Sequence, residues 1–313
     1  MFFSRLFKPF FNIFSLRAFR IGYLKVSDVH KIFYRVYGNP KGKTVLCFHG
    51  GPGYWSNLKT AKNFNLKKYK VILFDQRGCG KSLPLGEMND NTTQDLVDDA
   101  AKLLDFFKID EKVIVFGSSW GSTLALLFAE TFPQHVERLI LSKVFLANHD
   151  NRTWELKNSS LFYPDVFEKI AQPAQNAKFL PAYYASLINS EDLQKKIDAV
   201  NLYGSFENIL GSLNPKLGYP LVDETLLNSS KIMMNYAANR FFLKDNQILD
   251  NVAKIQHIPT LIVHNRLDFV CPLKGAFDLH KALPLSHLVI VPERGHGGPL
   301  ISQCLKKEIA EIL

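Results

Sequence analysis

Three residues far apart in the chain are of the types that split carbonyl compounds by covalent catalysis: Ser119, Asp268 and His296. A serine hydroxyl is a weak nucleophile until a base removes its proton, and a histidine base needs an acid to orient it. Ser119 lies in Gly117-Ser118-Ser119-Trp120-Gly121, a G-x-S-x-G turn. Ahead of the turn, Val113-Ile114-Val115-Phe116 predicts a buried strand; behind it, Ser122 to Phe132 lacks Gly and Pro and predicts a helix. Strand, tight turn and helix make a nucleophile elbow, which presents the hydroxyl at its tip near the positive end of the helix. The glycines fit because a Cβ at either flank would strike the neighbouring strand or helix. Taken alone, such a turn is equally a serine-rich loop, so the partners decide.

Asp268 follows the apolar run Leu261-Ile262-Val263-His264, and His296 follows Leu288-Val289-Ile290-Val291. With nine histidines in the chain, a late one is unremarkable. Serine, acid and histidine in that order, each in a loop after a strand, is the order of an α/β-hydrolase triad. An oxyanion would need two preorganised N–H donors. One is expected from the backbone of Trp120, the residue after the serine. The other is expected from His49-Gly50-Gly51-Pro52-Gly53, where Gly51 lets the backbone come close to the reacting carbon and His49 reads as a brace.

The elements around these residues predict the fold class α/β, with a mostly parallel sheet and an inserted helical cap. Tyr23 to Tyr37 alternates as an antiparallel hairpin turning near Ser27-Asp28. Buried strands are expected at Thr44–Phe48, Val71–Phe74 and Leu139–Leu141. Thr92 with Asp95 three residues on starts a helix to about Phe107, with Leu96, Ala100, Leu103, Leu104 and Phe107 on one face. After Lys143 the short β-branched runs stop, and dispersed aromatics and leucines read as helices. The expected division is an arm over 1–21, a hydrolase core over 22–143 and 251–313, and a cap over 144–250. The site belongs at the carboxyl ends of the strands.

Composition narrows the class. A net charge of +9 from 38 basic and 29 acidic residues comes without a basic run interleaved with aromatics, which speaks against nucleic-acid binding. Cys47, Cys79, Cys271 and Cys304 are far apart with no C-x-x-C pair, which speaks against a zinc site or a disulfide framework and for a reducing, cytoplasmic compartment. The first twenty residues carry four Arg or Lys, no acid and abundant Phe. Lys8, Pro9 and Asn12 interrupt them too often for a span, so peripheral contact with a membrane surface and packing on the enzyme or a partner stand as equal expectations.

The strings HGGPG, DQRGCGKS, DNTTQDLVDD, GSSWGSTLAL and RLDFVCP followed by GH resemble the proline iminopeptidases, serine aminopeptidases of the α/β-hydrolase fold. The resemblance covers the chain from about Gly22. It implies release of an N-terminal proline from peptides through an acyl-enzyme, without metal or cofactor. It also implies a triad of Ser119, Asp268 and His296 with oxyanion donors at Gly51 and Trp120. An aminopeptidase must hold a cationic amine, so carboxylates should line its pocket. The family uses one glutamate in a W-x-x-W-E pattern and one in R-I-E-N-H-Y-F. Tyr203-Gly204-Ser205-Phe206-Glu207 resembles the first, which implies substrate contacts from Glu207, Phe206 and Tyr203. Against the second, Tyr236 to Phe242 puts Ala238 in the glutamate's place and Arg240 close by to repel a cation. Ser118 replaces a family glycine, and Tyr54-Trp55 stands where more glycine is usual and reshapes the entrance.

A competing enzyme reading is an esterase or amidase with an altered cap. Epoxide hydrolases and dehalogenases of this fold need an acid at the elbow, where this chain has Ser119. A non-catalytic binding protein on the same fold would usually lack a triad member, and this chain carries all three.

Overall fold

The computed structural model describes residues 17–214 and 221–313. The arm expected over 1–21 therefore lies mostly outside the described residues, and its end is already part of the fold. Eight strands follow in sequence: β1 (Arg20–Lys25), β2 (Lys31–Gly38), β3 (Lys43–Phe48), β4 (Tyr69–Phe74), β5 (Val113–Ser118), β6 (Val136–Ser142), β7 (Thr260–Leu267) and β8 (Ser286–Arg294). They form one sheet in the order β1-β2-β4-β3-β5-β6-β7-β8. β1 and β2 are the expected antiparallel hairpin, with Leu24 opposite Ile32, and β2 pairs antiparallel with β4. Every pairing from β4 to β8 is parallel.

Parallel strands are covered on both faces, which is why β3, β4 and β5 are apolar almost throughout and buried. One cover includes α2 (Thr93–Phe106) and α3 (Trp120–Thr131), the other includes α11 (Pro299–Ile312); α1 (Leu58–Ala61) is a single turn before β4. The expected capping box opens α2: Asp95 accepts from the backbone N–H of Thr92 at 2.8 Å, and Thr92 Oγ1 accepts from that of Asp95 at 3.4 Å. Leu96, Ala100, Leu103 and Leu104 are buried on its inner face, and Phe107 packs part-buried at its end. α3 is buried from Trp120 to Glu130, as befits a helix behind the middle of the sheet.

Between β6 and β7 the described residues carry helices and no strand: α4 (His149–Leu156), α5 (Pro164–Ala171), α6 (Leu180–Ile188), α7 (Leu193–Ser212), α8 (Glu224–Ala238) and α9 (Gln247–Asn251). α5 to α8 bury an apolar core of their own around Ile170, Tyr184, Val200, Phe206 and Met234. α10 (Leu273–Ala282) completes the fold between β7 and β8. No helix among the described residues is long and apolar enough to cross a membrane.

Candidate active site

The turn after β5 is as tight as its glycines suggest. A Cβ on Gly117 would press on the carbonyl of Gly121 and on Ala125, and one on Gly121 would press on the carbonyl of Phe48 at the end of β3. Ser119 sits between them at φ 57°, ψ −130°. A non-glycine residue holds such angles only where its surroundings over-determine them. Here they do: the Ser119 N–H donates to the Ser142 carbonyl at 3.0 Å, and the Ser119 carbonyl accepts from Ser122 N–H at 2.7 Å.

The structure brings Ser119, His296 and Asp268 together in one chain of hydrogen bonds. Ser119 Oγ lies 3.0 Å from His296 Nε2, and His296 Nδ1 lies 2.8 Å from Asp268 Oδ2. Asp268 Oδ1 accepts from the backbone N–H groups of Val270 and Cys271 at 3.0 and 2.9 Å. Burial alone would raise the Asp268 carboxyl. The charge and hydrogen bond of His296, helped by His264 and the Cys271 amide, outweigh it and hold the group below its usual range. An ionised acid fixes Nδ1–H on the imidazole and leaves Nε2 free to take the serine proton.

The glycine loop after β3 lies against the serine: a Cβ on Gly50 would stand 3.4 Å from Ser119 Cβ. Gly51 adopts φ +125° and lines the same cavity as Ser119. Trp120 is the first residue of α3, so its N–H is one of the helix's unsatisfied donors. His49 is the brace expected of it. Its Nε2 accepts from Gln76 N–H at 3.0 Å, so the proton is on Nδ1, which donates to the Gly50 carbonyl at 2.7 Å. Gln76 closes the link, donating to the His49 carbonyl at 2.9 Å and accepting from Trp120 Nε1 at 3.0 Å.

Two adjoining cavities meet at Ser119 and share Gly51, Glu207, Met233 and Val270. The wider, about 480 Å³, reaches past His296, Lys143, Tyr54 and Trp55. The smaller, about 60 Å³, is walled by Phe145, Leu210, Met234, Ala237 and Phe241, and its ionisable side chains are Glu155, Tyr203, Glu207 and Cys271. Glu207 is pushed up to about 8, by burial and then by the charge of Glu155. Burial also raises Glu155, partly offset by the hydroxyl of Tyr203, which donates to its Oε1 at 2.6 Å. The Tyr54 hydroxyl is pushed up to about 12 by Glu207 and by burial.

Of the three residues that the resemblance implies as substrate contacts, Glu207 and Tyr203 line the smaller cavity beside Ser119. Phe206 does not: it is fully buried between the helices, 6.2 Å from Phe167 and 6.0 Å from Tyr203 between ring centres. One helical step separates it from Glu207, which is enough to turn it inward. Ala238 is also misplaced as the counterpart of the family's second glutamate. α8 turns Met233, Met234 and Ala237 to the cavity. Read against Lys231 to Ala237, the pattern R-I-E-N-H-Y-F matches Ile232 and Tyr236 and puts Met233 at the glutamate. Arg240 lines a separate depression with His149 and Lys157 and neither cavity at Ser119. Sequence reasoning missed Glu155, which carries no motif, and Lys143, whose amine burial holds below its ordinary value against the pull of Asp268. Among the described residues no group of three His, Cys, Asp or Glu side chains is placed to hold a metal ion.

A family profile for the alpha/beta hydrolase fold matches residues 43–300. A probable proline iminopeptidase of Leptolyngbya boryana is 39% identical over 290 residues, 90% of each chain. The proline iminopeptidase of Neisseria gonorrhoeae is 36% identical over 308 residues, covering 95% of this chain and 97% of that one. Among solved structures, a hydrolase from Pseudomonas aeruginosa superposes with a TM-score of 0.61 at 18% identity, over 94% of this chain and 98% of that one. The proline iminopeptidase of Mycobacterium smegmatis gives 0.61 at 17% identity, over 94% and 100%. At such identities these two speak for the fold alone, whereas the curated relatives carry the family. With its nucleophile elbow, its ordered serine, acid and histidine and this similarity over nine-tenths of its length, the chain belongs to the proline iminopeptidases of the alpha/beta hydrolase fold.

Proposed function

We propose that the chain removes an N-terminal proline from peptides, with Ser119 as nucleophile, His296 as base and then acid, and Asp268 as the orienting acid. His296 takes the Ser119 proton as Oγ attacks the prolyl carbonyl. The oxyanion that forms is held by the N–H groups of Gly51 and Trp120. His296 then gives the proton to the departing peptide amine, leaving a prolyl ester on Ser119, and water reverses the sequence to free proline. No step needs a metal or a cofactor.

The single observation that carries this reading is the small cavity beside Ser119, apolar in its walls and acidic in its ionisable groups, with Glu207 facing it. A pyrrolidine ring suits the walls, and a cationic nitrogen removed from water requires a carboxylate. Tyr203 serves the pocket through its hydroxyl. Residues 144–250 act as a cap that closes the site over a core of 22–143 and 251–313.

Met233 in the glutamate's place favours a second reading, an esterase or amidase. A panel of prolyl, alanyl and leucyl arylamides beside p-nitrophenyl esters separates the two: the aminopeptidase prefers the prolyl arylamide, and an esterase ignores the amine. The four free cysteines suit a reducing, cytoplasmic setting. The basic, Phe-rich residues before Arg17 suit contact with an anionic membrane. A chain starting at Arg17 should keep its activity and lose binding to anionic vesicles; retained vesicle binding would place the contact elsewhere.

A further inference from the structure

The smaller cavity holds two acids and no base. Glu155 comes from α4 and Glu207 from α7, and none of the side chains lining it is a Lys or Arg. Among the described residues neither acid takes part in an ion pair, and Glu155 is fixed only by the Tyr203 hydroxyl. Buried carboxylates so placed are costly unless a cation joins them. Ser119 shares the cavity, so a cation bound there would lie beside the scissile carbonyl. Met233 reaches the same space from α8 and brings no charge.

We propose that Glu155 and Glu207 together form the amine subsite, so that α4 supplies the second acid that α8 lacks. This deepens the proposed prolyl aminopeptidase and rests on it. A protonated prolyl nitrogen is a secondary ammonium with two N–H groups, and two carboxylates on different helices offer one acceptor to each. Tyr203 lies one turn before Glu207 on α7, and by donating to Glu155 it ties the α4 carboxylate to the helix that carries its partner. A purely structural Glu155 would need only its tyrosine. The opposed Glu207, which lines the same cavity close enough for the charge of Glu155 to make its own ionisation costlier, is what calls for a ligand.

The test uses two substrates on the full chain: prolyl p-nitroanilide and p-nitrophenyl cyclopentanecarboxylate, whose ring has the same size and no nitrogen. Glu155→Gln should lower kcat/KM for the prolyl substrate roughly ten- to a hundred-fold, mostly through KM, as loss of one charged contact does. The ester should change less than about twofold, because no charged contact to it is lost. Adding Met233→Glu to Glu155→Gln should restore part of the prolyl rate by returning an acid from the other side.

An unchanged prolyl rate in Glu155→Gln, or an equal fall for both substrates in a protein that melts like wild type, overturns the subsite while leaving the function standing if Glu207→Gln is selectively impaired. Should Glu155→Gln not fold, Glu155→Asp, which withdraws the carboxylate by one methylene, is read by the same two rates. A wild-type chain that turns over the ester and not the prolyl substrate overturns the function and the subsite together.

Discussion

Ser119 gains its expected reactivity from three constraints that act on one side chain. The positive φ points the hydroxyl outward, His296 waits at 3.0 Å, and the first amides of α3 lie beneath. A serine-directed fluorophosphonate should therefore label the chain, and Ser119→Ala should abolish labelling and lower turnover by about 10⁴-fold or more, as triad deletions do. Labelling that survives in the alanine variant contradicts the assignment. At the amine end, Glu207 at about 8 is mostly protonated at pH 6, yet pairing with a cation requires it ionised. The ratio of prolyl to ester kcat/KM, which cancels the triad's own titration, should climb from pH 6 towards 8. It should fall again once the substrate's amine loses its proton, at about 8 for an ordinary α-amine. Glu207→Gln should flatten the rising limb, and a ratio indifferent to pH in the wild type contradicts it.

These residues were not equally legible in the sequence. Ser119, Asp268 and His296 are each announced by the strand before them, and their chain order is itself a signal. Glu155 faces Glu207 across two helices 52 positions apart in numbering, and nothing local marks that meeting.

Elements were legible where one local pattern fixes both type and phase. Thr92 and Asp95 start α2 by a reciprocal pair of hydrogen bonds, and the burial of Leu96, Ala100 and Leu103 follows from the period. α8 shows what fails without such a mark. A shift of five residues rotates a helix by about 140°, enough to exchange the cavity-facing Met233 for Ala238. Phe206 turns inward for a simpler reason, since adjacent residues on a helix point about 100° apart and Glu207 takes the direction of the cavity.

α3 carries its own consequence for stability. Glu130 lies near its end with 7% of its surface exposed, and its Oε1 has no hydrogen-bond partner among the described residues. Burial pushes the carboxyl up to about 8, with Lys254 opposing. The folded chain thus holds a proton that the unfolded chain releases near 4.5. The stability from this group is full below about 4.5 and is lost as pH rises through about 8. Glu130→Gln, neutral at every pH, should raise the melting temperature at pH 9 and leave it nearly unchanged at pH 5. A gain confined to pH 5 contradicts the sign.

At the scale of the molecule, the sheet and its insertion were readable from texture alone: apolar runs either side of a long stretch without them. The edge is less legible. β1 begins at Arg20, whose guanidinium lies 5.0 and 4.7 Å from the ring centres of Phe106 and Phe107. The fold thus takes in residues that the charge pattern assigns to the arm. The strands and helices bring Ser119, His296 and Asp268 into one hydrogen-bonded line beside one acidic cavity, and under the proposed function this arrangement makes a specific demand on substrate: a free cationic nitrogen one residue from the bond to be cut.

That demand is tested most directly by one measurement, mass spectrometry of a short peptide beginning with proline, incubated with the chain beside its N-acetylated twin. The free peptide should lose its first residue and no more, with proline appearing in equal amount, while the acetylated peptide stays intact. Equal cleavage of both, or no cleavage of either by a chain that still hydrolyses p-nitrophenyl esters, would contradict the account.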